Sequence, residues 1–419
     1  MELQLTNKKY SQKFLSTLPG EGTGVDIVPQ SKMMKEHRDF LKRSELSGLA
    51  ENFSWTVRGS NVAVNYSTHG IYRYFGKFPA PIGRQLILDY SKPGGVVVDP
   101  ACGSGTTGVE ALWMDNNAFL FDLNPLSILI SKVKTTPLSL RQMENASEKF
   151  QQRYKSLRKG SFEPTGIDLK HWFLPETTHS LSRMRRAIDE ETNQDLRNFL
   201  EMNFAAIVRK VSKATTQQGR LFLDVDTAVS DPLPAMLKSI DKSIENISKL
   251  PKTTKVETQQ ADILNNNLLD KMKADLVIYH PPYFNAYKYS SINSLELAWI
   301  QQDRKGFSKQ EIREFFKVGK PENSKFYVED MAKSILNLQK FMGKNTRLAI
   351  MIGDALMKEK HMTVTREIID LVSEHFEVER TVLRIPKYTE ASWATSQRRV
   401  SGSLGVMMFD FILTLRKRN

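Results

Sequence analysis

Short apolar runs alternate with helical stretches along most of this chain, and that alternation leaves few folds open. Val96-Val97-Val98-Asp99 predicts a strand, Thr106–Asp115 a helix, Ala118–Asp122 a second strand and Pro125–Lys134 a second helix. Strand–helix–strand units form a parallel sheet covered on both faces, so its strands are unbroken apolar runs. The pattern returns at Lys255–Gln259, Leu276–Tyr279, Leu348–Ile352 and Val378–Ile385, with helices at about 326–342 and 362–375. Val406–Leu415 is long and apolar and is expected to close a hairpin with its predecessor. Between 139 and 250 the alternation fails; four helices are predicted there, near 139–158, 176–190, 193–214 and 233–249. The expected organisation is an α/β catalytic domain of residues 70–138 and 252–419, a helical insertion at 139–251, and a polar extension, 1–69, with a helix at about Lys32–Leu49.

Between the first strand and helix lies Asp99-Pro100-Ala101-Cys102-Gly103-Ser104-Gly105-Thr106-Thr107. Gly103 and Gly105 allow positive φ and close approach of a ligand to the backbone. The helix N-terminus beyond them presents free N–H groups that suit a carboxylate. Asp99, at the first strand end, is placed to accept from an ammonium, and Asp122, at the second, from ribose hydroxyls. The turn lacks the third glycine of a dinucleotide fingerprint and the G-K-[ST] of a P-loop. A cofactor with an amino-acid end and a nucleoside end fits better, namely S-adenosylmethionine. Cys102 is read as a small packing residue, because no basic partner lies near it in sequence.

About 180 residues downstream, the strand Asp275–Tyr279 runs into His280-Pro281-Pro282-Tyr283. Two prolines remove N–H donors and leave backbone acceptors at the strand end. Such a site suits a planar group bearing an NH2, with the tyrosine ring as a stacking face. Phe284 and Tyr287 are candidates for the same pocket or for the core, and Glu296 is read as a helix-surface acid.

The chain carries a charge of +13, from 60 Lys and Arg against 47 Asp and Glu, which favours polyanions and nucleic acid first. From Arg380 to Asn419 eight basic residues stand against two acidic ones, with Tyr388 and Trp393 among them. Basic side chains mixed with aromatics hold phosphates and stack on bases. Cys102 is the lone cysteine, so an intrachain disulfide and a cysteine-rich zinc site are excluded, and no metal is expected. No apolar run approaches the roughly 18 residues that span a bilayer, and MELQLTNKKYSQKF lacks the apolar core of a signal peptide. The expected location is the cytoplasm.

These motifs resemble those of the amino-methylating DNA methyltransferases, which modify cytosine N4 or adenine N6. Asp99–Thr107 is similar to the family's D-P-x-x-G-S-G-T-T, His280–Tyr283 to its [DNS]-P-P-[YFW] at three of four positions, and Gly76-Lys77-Phe78-Pro79 to its K-F segment before the first strand. The resemblance covers roughly 70–138 and 252–419. It implies a Rossmann-like seven-stranded methyltransferase sheet with a reversed last hairpin. It implies a cofactor site of Lys77, Phe78, Asp99, Pro100, Ala101, Gly103, Gly105, Thr106, Asp122, Leu123, Asp262 and Ile263, with Asp262 holding the adenine amino group. The catalytic residues it implies are His280, Pro281, Pro282 and Tyr283. His280 departs from the family, which has Asp, Asn or Ser there.

The expected reaction is methyl transfer from S-adenosylmethionine to the exocyclic amine of a flipped base in DNA. Cytosine N4 is preferred over adenine N6, because the acid that accompanies adenine in this family is absent. Lys387, Arg398 and Arg399, in the loop before the last strand, are the expected phosphate contacts. The insertion, with Arg183, Arg185, Arg186, Arg209 and Lys210, is the second candidate for reading the target. A restriction endonuclease partner is expected to be a separate chain. Methylation of RNA at guanine N2 or of protein glutamine remains open, as does an inactive module that binds the cofactor or nucleic acid.

Overall fold

A computed structural model describes residues 9–160, 162–217, 220–226, 229–265, 272–284, 288–313, 324–357, 360–386, 404–405 and 409–418. In chain order the strands are β1 (Gly24–Pro29), β2 (Ala50–Arg58), β3 (Val96–Asp99), β4 (Asn117–Asp122), β5 (Ala214–Gln217), β6 (Arg220–Leu223) and β7 (Val256–Gln260). They continue as β8 (Ala274–Tyr279), β9 (Met342–Ile352), β10 (Ala355–Met357), β11 (Lys360–Met362), β12 (Phe376–Arg384), β13 (Leu404–Gly405) and β14 (Asp410–Lys417). Nine of them form one sheet in the order β1-β2-β12-β14-β9-β8-β3-β4-β7. β7, β4, β3, β8 and β9 run parallel, and β14 runs antiparallel between β9 and β12. The expected reversed hairpin is therefore present, with its second strand inserted into the sheet.

Residues along the central strands alternate between two cores. Val97, Leu276, Ile278, Ala349, Met351 and Ile412 face the helices Ala80–Tyr90 and Thr106–Trp113. Val98, Val277, Tyr279, Leu348, Ile350 and Leu413 face the helices Ser324–Asn337 and Val364–Val372. This two-sided burial is why the strands are unbroken apolar runs.

The N-terminal segment differs from the polar extension expected. It supplies β1 and β2, and β2 lies parallel to β12 at the sheet edge. Phe53, Trp55 and Val57 recur at period two, and Trp55 and Val57 are buried in the same core as Val97. The predicted helix there is shorter, Lys35–Arg43.

The insertion enters between β4 and β7. Its helices Leu140–Ser156, Pro175–Asp189, Gln194–Val208 and Pro232–Ile247 pack around Met184, Phe199, Phe204 and Met236. The third is shorter than predicted, because Ala214–Gln217 turns into the β5–β6 hairpin. The same core continues through Leu126, Ile130 and Val133 to Trp299, so the insertion is built onto the α/β domain. Among the described residues no helix is long and apolar enough to cross a membrane.

Candidate active site

Because β3, β4, β7 and β8 are parallel, Asp99, Asp122, Asp262 and His280 all emerge at or just past the carboxyl edge of the sheet, where open α/β sheets bind ligands. A cavity opens there, with about 940 Å³ of empty space including its mouth. The predicted residues Lys77, Phe78, Pro100, Ala101, Gly103, Thr106, Asp122, Leu123, Asp262, Ile263, His280 and Pro282 lie on its wall.

The turn after β3 is held from behind. Gly103 has φ +49° and Gly105 φ +74°, and a Cβ on Gly105 would fall 2.9 Å from Ser131 Oγ. Asp99 is 1% exposed and does not line the cavity. Its Oδ1 accepts from the Ala101 amide (3.1 Å) and its Oδ2 from the Thr107 hydroxyl. Burial pushes its carboxyl up to about 7, against those two donors. Asp99 thus shapes the turn from behind the wall. Gly105 likewise stands behind the wall, as the left-handed cap of the helix Thr106–Trp113. Lys134 is fully buried and its Nζ donates to the Ser104 carbonyl at 2.8 Å; burial holds its pKa well below the ordinary amine value. Sequence reasoning missed it, although a lysine within an apolar helix stretch is a visible signal.

Asp122 clamps the turn from the next strand. Its Oδ2 accepts from the Gly103 amide and its Oδ1 from the Asn124 amide, both at 2.8 Å, and burial raises its pKa to about 6. Asp262 accepts from the Leu264 amide (2.8 Å) and the Asn265 side chain (2.6 Å). Lys77 donates to the His69 carbonyl at 2.8 Å and to Asn65, and burial lowers its pKa to about 8. Cys102 is buried 3.4 Å from Ser131 Oγ, and burial keeps its thiol protonated, which fits packing and not attack. Tyr74 and Tyr289, stacked with centroids 5.8 Å apart, also line the cavity, with Phe307, Gln310, Glu311 and Ile312. These residues follow or precede the motifs at no fixed spacing, so only the folded chain brings them together.

At the other end of the wall, His280 packs edge-on to Phe78 (5.5 Å) and to Tyr283 (5.4 Å). Burial lowers its pKa to about 4, with Asp410 opposing and Arg384 adding to the shift. The Tyr283 hydroxyl donates to Asp410 Oδ2 at 2.8 Å, and Arg384 pairs with the same carboxylate. The Pro282 carbonyl accepts from Tyr327 at 2.9 Å. Pro281 and Tyr283 lie beside the cavity and off its wall. Phe284 is a core residue against Tyr327, and Tyr287 lies outside the described residues. Glu296 is 3% exposed and pairs with Arg209 at 2.6 Å, so it is not a surface acid.

The insertion's candidate basic residues differ in exposure and pairing. Arg185 is 2% exposed between Asp189 and Glu201. Arg183 stacks on Tyr154 at 4.2 Å and donates to the Tyr154 carbonyl. Arg209 holds Glu296, and Arg186 sits 3.9 Å from Glu190. Lys210 is exposed. Lys387, Arg398 and Arg399 lie outside the described residues.

The donors and acceptors on this wall fit S-adenosylmethionine: backbone amides and a glycine turn for its amino-acid end, carboxylates on successive strands for ribose and adenine, and apolar rings between them. The strand order and the turn define an S-adenosylmethionine-dependent methyltransferase fold. Residues 7–133 match the family described as DNA methylase, N6_N4_Mtase. The chain is 24% identical over 227 residues to the type II methyltransferase M.MvaI of Kocuria varians, covering 48% of this chain and 50% of that one. It is 26% identical over 315 residues to the type II methyltransferase M.BsoBI of Geobacillus stearothermophilus, covering 67% and 61%. The matches thus span about half to three-fifths of these relatives' length. The solved structure of TrmN from Thermus thermophilus aligns with a TM-score of 0.33 at 9% identity, over 82% of this chain and 50% of that one. The chain is thus similar to N6- and N4-directed DNA methyltransferases over its matched segments, and its cofactor is S-adenosylmethionine.

Proposed function

We propose that this protein methylates the exocyclic amine of a base in DNA. One observation carries the reading: His280 and Pro282 share a single cavity wall with the Gly103 turn, Asp122 and Asp262. When bound along the Gly103 turn, Asp122 and Asp262, the cofactor would supply a methyl group on a sulfonium, whose sulfur would keep the electron pair of the broken C–S bond.

The chain's task is to hold and sharpen the nucleophile. An exocyclic amine is weak because its lone pair is delocalised into the ring. Acceptors for both amino protons favour a more pyramidal nitrogen whose pair points at the methyl carbon. Pro282's carbonyl is engaged by Tyr327, which leaves the Pro281 carbonyl and the His280 ring as the two acceptors. A neutral imidazole accepts through one nitrogen, and His280 is neutral well below pH 7. Tyr283 offers its ring to the base. A base inside a duplex is out of reach, so the substrate is flipped or single-stranded.

Cytosine N4 is proposed ahead of adenine N6, because position 280 lacks the acid that accompanies adenine. Lys387, Arg398 and Arg399 are proposed to hold the phosphates, since Arg185 and Arg209 of the insertion are already paired with carboxylates. A restriction endonuclease, on this reading, is a separate chain.

The test is incubation with methyl-labelled S-adenosylmethionine and duplex DNA, single-stranded DNA or RNA, followed by nucleoside mass spectrometry. Labelled N4-methylcytosine in DNA is expected. N6-methyladenine would overturn the choice of base, and label in RNA alone or in none of the three would overturn the reaction.

A further inference from the structure

Position 280 departs from the family's acid, amide or hydroxyl, and the structure surrounds it with groups that the motif does not include. Asp410 opens β14, and Arg384 ends β12 directly opposite it in the register. Arg384 Nε donates to Asp410 Oδ1 at 2.6 Å, and a second guanidinium nitrogen donates to Oδ2. The Tyr283 hydroxyl donates to Asp410 Oδ2 at 2.8 Å. His280 Nε2 stands 3.3 Å from the same hydroxyl oxygen.

The hydrogen-bond roles follow from counting protons. A carboxylate only accepts. The Tyr283 hydroxyl has one hydrogen, and Asp410 takes it. Toward His280 that oxygen is left as an acceptor, so Nε2 is the ring nitrogen that carries the hydrogen. In a neutral imidazole the other nitrogen, Nδ1, then carries the lone pair. The charged and titratable groups facing His280 are Asp410, Arg384 and Tyr283, with the Phe78 ring against its edge.

We propose that Asp410 and Arg384, acting through the Tyr283 hydroxyl, set the tautomer of His280 so that Nδ1 accepts the target amine's hydrogen bond and then its proton. In that step one N–H bond of the methylated amine breaks. Its electron pair stays on the amine nitrogen, and the proton moves to Nδ1. The resulting imidazolium keeps its Nε2–H bond to Tyr283 while Asp410 sits one hydrogen bond further on. Asp410 and Arg384 are positioning residues, because neither lines the cavity. The inference rests on methyl transfer to a base amine as proposed above.

The experiment pairs a spectroscopic readout with a kinetic one. Long-range proton–nitrogen spectra of the full chain, labelled with 15N-histidine, read which nitrogen of each ring is protonated. His280→Asn identifies the His280 resonances by their disappearance. In the wild type, protonated Nε2 and bare Nδ1 are expected at neutral pH. In Tyr283→Phe the two tautomers should mix, with kcat about ten-fold lower and the KM for S-adenosylmethionine unchanged. His280→Asn, whose Oδ1 replaces Nδ1 as hydrogen-bond acceptor but not as proton acceptor and has no tautomer to set, should keep reduced activity, with the amine's proton passing to solvent, and lose far less when Tyr283→Phe is added.

A protonated Nδ1 in the wild type, an unchanged tautomer in Tyr283→Phe, or an equal loss in both backgrounds would overturn the proposal. The spectra need no turnover. Absent methylation beside the expected spectra therefore falls on the reaction, and the converse pattern falls on the relay. Thermal unfolding of each variant separates a folding defect from either.

Discussion

His280 is the proposed acceptor for the target amine, and its burial gives that role a measurable sign. Burial disfavours the imidazolium and lowers its pKa from 6.5 to about 4. The ring is therefore an acceptor above that value, and kcat should persist to about pH 5 and fall through about pH 4. His280→Asn should abolish that acid limb, because an amide does not titrate there, and His280→Phe should cost about 100-fold in kcat at pH 7. Single-turnover methylation across pH 4–8 checks both. The same shift bears on stability. The unfolded chain binds a proton at this residue near pH 6.5 and the native one only near pH 4, so the unfolded state holds more protons in between. The contribution is fully present above about pH 6.5 and is lost as pH falls toward about 4. His280→Asn should then lose less stability than the wild type between those values, as read from urea midpoints at pH 7 and 4.5. Which residue followed the strand was plain from Tyr279-His280-Pro281-Pro282, but the Tyr283–Asp410 pair beside its ring joins it to a residue 130 positions downstream, and no local pattern connects the two.

The insertion's arginines were candidates for nucleic acid because charge is visible in sequence and pairing is not. Arg185 and Arg183 serve the insertion's own packing, and Arg209 ties it to Glu296 and Ile292 of the α/β domain. Glu296→Ala should leave Arg209 without its carboxylate in a mostly buried site and lower stability by about 3 kcal/mol, measured by urea unfolding. For the loop, Arg398→Ala combined with Arg399→Ala should weaken DNA binding and reduce the slope of log K against log salt by about 2. Fluorescence anisotropy at several salt concentrations reads the slope, and an unchanged slope would move phosphate binding elsewhere. Strand signals were legible wherever both faces are buried, as in Val96–Val98. The period-two run Phe53, Trp55, Val57 is an equally regular signal, yet the polar residues around it hid it inside what was read as an extension.

For the whole molecule, the sheet is nine strands wide and the N-terminal segment is part of it. β2 covers the edge of β12, and Trp55 and Val57 enter the core shared with Val97 and Ile412. Deleting residues 1–58 should expose that edge and core and yield protein that elutes as aggregate in size-exclusion chromatography with light scattering. The sequence by itself determined the parallel α/β class, the glycine turn between β3 and its helix, and the proline-rich end of β8, because each is dictated within a dozen residues by burial period, φ freedom or a missing donor. Tertiary structure alone decided that Asp99 braces the turn from behind, that Tyr74, Tyr289 and Phe307 complete the cavity wall, and that Asp410 and Arg384 reach His280 through Tyr283. Those outcomes depend on which strand ends the sheet order sets side by side, and strand order comes from long-range packing that no window of sequence contains.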